Sequence, residues 1–319
     1  MSSFESQTNP LTRFLSVQEV MILDGGLATQ LEARGCDLSD ELWSARLLAD
    51  RPSLIRDVHG DYLRAGADCI ISASYQATFE GFMARGMSTE RATDLIRSAV
   101  ELACQARDEF WSDPGRHRRR IRPLVAASVG PYGAYLADGS EFRGDYGLGE
   151  ESLAEFHRQR WGVLAASGAD LLACETLPSR LEARALRQLL ESTPSARAWF
   201  SFCCADARHL QDGTAIGAMI QELEDCPQVV GVGVNCTSPQ YVAGLVAEIR
   251  SQSAKPVVVY PNSGEAWDGQ RRVWKDGSEE APSWTSLAPE WVRLGAGVIG
   301  GCCRTQPADI ADLRRSLLE

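Results

Sequence analysis

Val229-Val230-Gly231-Val232-Gly233-Val234 is a glycine-spaced apolar run that breaks off into Asn235-Cys236-Thr237. It shows no polar alternation, as expected of a parallel strand covered on both faces. Pro239 follows and opens an amphipathic stretch over residues 239–249, with proline where the first helical turn tolerates it. The same unit recurs from about residue 20 to the C-terminus. Short apolar segments at 20–24, 69–74, 124–130, 171–175, 198–203, 229–235, 257–261 and 298–301 alternate with amphipathic stretches. The latter include residues 88–110, 151–167, 179–191 and 307–318. Eight strands alternating with helices predict a single (β/α)8 barrel of the TIM type, with an open doubly wound sheet as the second choice. No repeat or linker divides the chain. The reading is an N-terminal extension over residues 1–19 and one barrel domain over residues 20–319.

The chain has 319 residues, enough to bury the core of one large barrel. Its net charge of −11, from 43 acidic and 32 basic residues, argues against nucleic acid or an anionic membrane as partner. The basic run Arg116-His117-Arg118-Arg119-Arg120 reads as a solvated loop. Ten cysteines in so long a chain do not make a disulfide scaffold. The start, Met1-Ser2-Ser3-Phe4, lacks the basic and apolar regions of a signal peptide, and no apolar run approaches the ~20 residues that span a bilayer. A reducing, cytoplasmic setting is expected, where thiols stay reduced or bind metal. The expected assembly is a monomer or small homo-oligomer.

Barrel active sites gather at the C-terminal ends of the strands, so those ends are read together. The first ends in Asp24-Gly25-Gly26-Leu27, the second in Tyr75-Gln76, the third in Ser128-Val129-Gly130-Pro131 and the fourth in Glu175-Thr176. The sixth ends in Asn235-Cys236, the seventh in Tyr260-Pro261-Asn262-Ser263-Gly264-Glu265, and the eighth in Gly300-Gly301-Cys302-Cys303. A catalytic zinc needs three protein ligands and one open position, and Cys236, Cys302 and Cys303 supply that tripod. Asp24 and Glu175 suit an ammonium group, and the N–H groups of Gly25, Gly26 and Leu27 suit a carboxylate. Together they describe a pocket for an α-amino acid. Asp24-Gly25 as a plain turn starter, and Glu175 paired with a barrel arginine, stay open as structural readings. Two long connections, residues 131–150 and 263–283, lie on the same face and are long enough to be functional.

Cys36, Cys69, Cys104, Cys174 and Cys226 stand singly in apolar or helical context and read as small buried hydrophobes. Cys203-Cys204 also ends a strand, but no third thiol or histidine flanks it. None of the four histidines has the spacing of a protease zinc helix.

These residues resemble a known family. Asp24-Gly25-Gly26-Leu27-Ala28-Thr29, Gly130 in Ser-Val-Gly-Pro-Tyr-Gly, Glu175 in Cys-Glu-Thr, Asn235-Cys236 and Gly300-Gly301-Cys302-Cys303 are similar to the zinc-dependent homocysteine S-methyltransferases. The likeness runs over nearly the whole chain. Ser-Tyr-Gln-Ala-Thr around Tyr75, the segment from Gly130 to Ser140 and Val-Tyr-Pro-Asn-Ser-Gly-Glu around Asn262 resemble the branch that uses S-methylmethionine. The resemblance implies one zinc per chain on Cys236, Cys302 and Cys303, with L-homocysteine near Asp24 and Glu175. It implies methyl transfer from a sulfonium donor, S-methylmethionine ahead of S-adenosylmethionine. The departing thioether is neutral, so no general acid is required, and Tyr75, Tyr132, Tyr135 and Trp43 offer aromatic faces to the cation. Rival readings are a betaine-dependent enzyme of the same kind, a vicinal-dithiol redox protein and a zinc-stabilised binding module. The redox reading lacks a Cys-x-x-Cys motif. Methylfolate use through a cobalamin carrier calls for domains beyond one barrel.

Overall fold

A computed structural model describes residues 9–38, 44–117, 120–264, 266–268, 273–275 and 283–319. Eight parallel strands form one sheet. They are β1 (Met21–Ile22), β2 (Cys69–Ile71), β3 (Leu124–Val129), β4 (Leu171–Leu177), β5 (Ala198–Phe202), β6 (Val229–Asn235), β7 (Val257–Tyr260) and β10 (Ala296–Ile299). Between the last two, β8 (Ala266–Asp268) and β9 (Val273–Lys275) make an antiparallel hairpin that pairs Trp267 with Trp274. The large sheet runs β1-β10-β7-β6-β5-β4-β3-β2. Its two edges meet where Leu23 bridges Cys69, with Asp68 N–H donating to Ile22 O at 2.7 Å and Asp24 N–H to Cys69 O at 3.1 Å. That junction makes a nearly closed (β/α)8 barrel and removes the open-sheet alternative.

All eight expected segments form strands, with helices between them. Ser88 and Ser179 cap the helices Thr89–Trp111 and Arg180–Glu191 through their side chains, and Pro239 and Pro307 open the helices Pro239–Gln252 and Pro307–Leu318. The last strand begins earlier than expected and stops at Ile299, because Gly300 and Gly301 turn in toward β1. A Cβ on Gly300 would sit 2.5 Å from the Leu23 side chain and 2.7 Å from Asp24 O.

Two apolar layers follow. One lies between sheet and helices and includes Ile70, Val125, Leu172, Phe200, Val232 and Ile299. The other fills the barrel itself with Met21, Leu23, Ala126, Leu171, Trp199 and Val258. The short helix Pro10–Leu15 joins this inner layer through Leu11 and Phe14, both wholly buried. Asn9 fixes it, donating to Val230 O at 2.8 Å and capping Leu11 N–H. Val230 lies near the start of β6, so this helix closes the N-terminal mouth and leaves the other end for chemistry.

Candidate active site

Cys236 follows β6 directly, at φ 47, a left-handed conformation that side chains with a Cβ seldom adopt. Thr176, next to Glu175, and Arg304, next to Cys303, share it at φ 58 and 67. Three of the four such non-glycine residues among those described thus border one mouth, and strain of this kind gathers at functional sites. The surroundings hold it: Cys236 N–H donates to Tyr260 O at 3.2 Å, and Thr176 N–H to Asn235 Oδ1 at 2.7 Å. Strand β7 lies between the two cysteine-bearing strands, and its tail joins their loops. Cys302 N–H donates to Pro261 O, Ser263 N–H to Cys303 O and Asn262 N–H to Thr237 O, at 2.8, 3.1 and 3.2 Å.

The three sulfurs converge as a result. Cys236 Sγ is 2.7 Å from Cys302 Sγ and 3.6 Å from Cys303 Sγ, and all three lie within 4.8 Å of one another. Among the described residues this is the one cluster of cysteine, histidine or acidic groups able to hold a metal. A tetrahedral zinc with bonds of about 2.3 Å spaces its sulfurs about 3.8 Å apart. The Cys236–Cys303 separation already fits, and the Cys236–Cys302 pair has to open by roughly 1 Å. S–H donation from Cys236 and Cys302 pulls the Cys303 thiol well below its ordinary range.

Both expected carboxylates stand at this mouth. Asp24 is 3% exposed and Glu175 7%. Burial pushes Glu175 up to about 7, against the pull of the Ser128 hydroxyl, and pushes Asp24 well above the carboxylate range. The Asp24 Oδ2 accepts from Ile71 N–H at 2.8 Å, and Asp24 and Glu175 repel each other. Glu175 meets no arginine among the described residues; its oxygens accept from Ser128 Oγ and from Tyr260 Oη, the latter at 3.0 Å. Gly25 and Gly26 let the β1 loop approach the cysteine loop: a Cβ on Gly26 would lie 2.7 Å from Cys302 O. The Gly26 N–H is engaged by Thr305 Oγ1 at 3.1 Å.

Tyr75 presses its ring on Gly130, where a Cβ would come within 2.7 Å of it, and its phenol feels Cys236 and Glu175. Asn235, wholly buried, uses both ends of its amide on Thr176. Asn262 is buried, and its Oδ1 has no partner among the described residues. Tyr132 packs with Tyr135, Tyr146 and Phe156, ring centroids 4.8–5.8 Å apart. Trp43 and Glu265 lie outside the described residues.

Cys203 sits beside the trio without joining it. Its Sγ donates to Cys236 O at 3.3 Å, and burial pushes its thiol up to about 12. Sequence reading placed Ser128 and Tyr260 at strand ends without giving them a role, and gave none to Ser201, inside a strand run, or to Arg160, His157 and Glu182, in helices. The last three clamp the loop after β3: Arg160 donates to Gly130 O, and Glu182 Oε1 accepts from Tyr132 N–H at 2.5 Å and meets His157 Nε2 at 2.8 Å.

Comparison with known proteins agrees with this geometry. A family model described as homocysteine S-methyltransferase matches residues 21–317. The homocysteine S-methyltransferase YbgG of Bacillus subtilis is 48% identical over 305 residues, covering 96% of each chain. A homocysteine S-methyltransferase of Escherichia coli is 49% identical over 309 residues, covering 97% of this chain and 99% of its own. Among solved structures, the metallated form of the Escherichia coli homocysteine methyltransferase MmuM superposes with a TM-score of 0.86 at 48% identity, over 96% of this chain and 99% of that one.

Proposed function

The chain belongs to the homocysteine S-methyltransferase family, and from that premise we propose that it methylates the sulfur of L-homocysteine from a sulfonium donor, giving methionine. S-methylmethionine is the preferred donor, S-adenosylmethionine a slower one and betaine a poor one. One zinc per chain sits on Cys236, Cys302 and Cys303. The observation that carries this reading is the convergence of three thiols within 4.8 Å beside two buried carboxylates. The metallated form of the Escherichia coli relative supports a metal there.

When bound, zinc supplies Lewis acidity that lets the acceptor sulfur lose its proton near neutral pH, where a free thiol with pKa near ~8.5 is mostly protonated. The rest of the work belongs to the chain. Asp24 and Glu175 receive the ammonium group of homocysteine and set its sulfur toward the cysteines. A new S–CH3 bond forms as the donor's C–S bond breaks, and the electron pair leaves with a neutral thioether. No side chain has to protonate the leaving group. The cysteine thiolates at the mouth favour the approach of a sulfonium, and Tyr75 offers it an aromatic face.

The donor's amino-acid end has a candidate seat in the loop after β3. Glu141, in the turn Ser140–Phe142, acts electrostatically on both Tyr75 and Cys303. Asp138, Arg143 and Asp145 pair with one another farther out in solvent. The cytosolic setting belongs to the same proposal, since the thiols must stay reduced to hold metal.

The test is metal content of purified, reduced protein, followed by methyl transfer to homocysteine from the three donors at equal concentration. About one zinc per chain and the order S-methylmethionine, S-adenosylmethionine, betaine are expected. Predominant transfer from betaine would overturn the donor assignment, and full activity without bound metal would overturn the zinc.

A further inference from the structure

Behind Glu175, the barrel interior holds a chain of polar groups that ends on its carboxylate. The Trp199 indole Nε1 lies 3.1 Å from Tyr260 Oη, Ser201 Oγ lies 2.6 Å from that oxygen, and Tyr260 Oη lies 3.0 Å from Glu175 Oε2. The directions of these bonds follow from counting protons. An indole N–H only donates, and a carboxylate only accepts. With Glu175 ionised, the one proton of Tyr260 goes to it, so Ser201 donates to Tyr260. Ser128 donates to the other oxygen, Glu175 Oε1. Every proton in the network therefore points toward the carboxylate. These donors favour the ionised form and work against the burial that raises Glu175.

We propose that Tyr260, aimed by Ser201 and Trp199, is a positioning residue that holds Glu175 as the anionic seat for the acceptor's ammonium group, and so makes the enzyme prefer thiols carrying an α-amino group. This rests on the assignment of Glu175 to that ammonium. Tyr260, Trp199, Ser201 and Ser128 are each 2% exposed or less, so the groups behind Glu175 are shielded from solvent. The Trp199 and Tyr260 rings meet edge-on, 6.3 Å apart at 79°, which fixes the phenol's direction. The same residue's backbone oxygen accepts from Cys236 N–H. Tyr260 thus sets the ammonium seat with its side chain and the thiol loop with its main chain. Replacing only the hydroxyl separates the two duties.

The test uses the metal-loaded full chain and two acceptors, L-homocysteine and 4-mercaptobutanoate, which is homocysteine without its amino group. In Tyr260→Phe, metal content should be retained and the KM for homocysteine should rise about tenfold, with kcat changing much less. The KM for 4-mercaptobutanoate should stay put, so the preference between the acceptors falls by the same factor. Ser201→Ala should move the ratio the same way by a smaller factor, and it decides the matter if Tyr260→Phe does not fold. In a Glu175→Gln background, Tyr260→Phe should add less than about a twofold change, because the two act on one interaction. Equal losses toward both acceptors would make Tyr260 merely structural and overturn the proposal. If Glu175→Gln collapses the preference and Tyr260→Phe leaves it intact, the proposal alone falls. If Glu175→Gln leaves the preference intact, the assignment of Glu175 falls first.

Discussion

A serine hydroxyl keeps its proton at neutral pH, whereas a cysteine beside a divalent metal gives its proton up. Replacing Cys236, Cys302 or Cys303 by Ser should therefore release the zinc and abolish methyl transfer. Cys203→Ser and Cys204→Ser should keep both, since Cys203 directs its S–H to the backbone oxygen of Cys236 rather than toward the three sulfurs, and Cys204 directs its own to Phe202 O. Metal analysis of the five purified variants checks this, and zinc loss from Cys203→Ser would show the ligand set to be wrong. The cysteines and both carboxylates were legible because each interrupts an apolar run at a strand end. The roles of Ser128, Ser201 and Tyr260 were not. A lone hydroxyl inside Leu124–Val129 or Val257–Tyr260 reads as an ordinary strand residue, and only closure of the barrel shows which side chains meet inside.

At the scale of elements, the strands end in irregularities that place the reacting groups. The β4–β5 register slips between Cys174 and Leu177, so Glu175 and Thr176 leave the ladder where the mouth begins. The loop after β3 is packed as tightly: a Cβ on Gly130 would meet Tyr75 O at 2.5 Å and the Tyr75 ring at 2.7 Å. Gly130→Ala must therefore push Tyr75 aside. It should cost about 1–3 kcal/mol of stability, as overpacking does, and lower activity with the sulfonium donor. Gly162→Ala is the matched control. It lies exposed in the helix Glu150–Ala165 with nothing near its Cβ, and should be neutral or stabilising by up to about 1 kcal/mol. An unchanged urea midpoint and unchanged turnover in Gly130→Ala would show the loop to be adaptable. The sequence signalled these loops through their glycines. The β8–β9 hairpin escaped it, because each strand is only three residues long and sits among polar residues.

Across the whole molecule, the barrel interior is divided along its axis. Leu11, Phe14, Met21 and Val258 keep the N-terminal half apolar, while Ser128, Ser201, Tyr260 and Glu175 make the other half polar, so binding chemistry is confined to one end. The alternation of strands and helices announced the barrel. The plug by Pro10–Leu15 was hidden, because a six-residue helix carries too little periodicity to be recognised. The surrounding shell carries a further consequence, for acid stability. His59 is wholly buried, neither ring nitrogen has a partner among the described residues, and burial lowers it to about 4. His157 is lowered to about 4 by burial and then by Arg160. An unfolded histidine titrates near ~6.5, so below that pH the unfolded chain takes up protons that the folded one refuses. The stability these histidines give is fully present above that value and is lost as pH falls toward 4. Glu175 and Asp24, raised by burial, work in the opposite direction, so a single-site difference is the clean measurement. His59→Leu cannot take up a proton in either state. Its stability relative to wild type should therefore improve steadily from pH 7 to pH 4.5, by on the order of 2–3 kcal/mol in total. Urea unfolding of both proteins at several pH values reads this gap directly. A gap that stays constant across the range would mean that His59 finds a proton-accepting partner in the folded state.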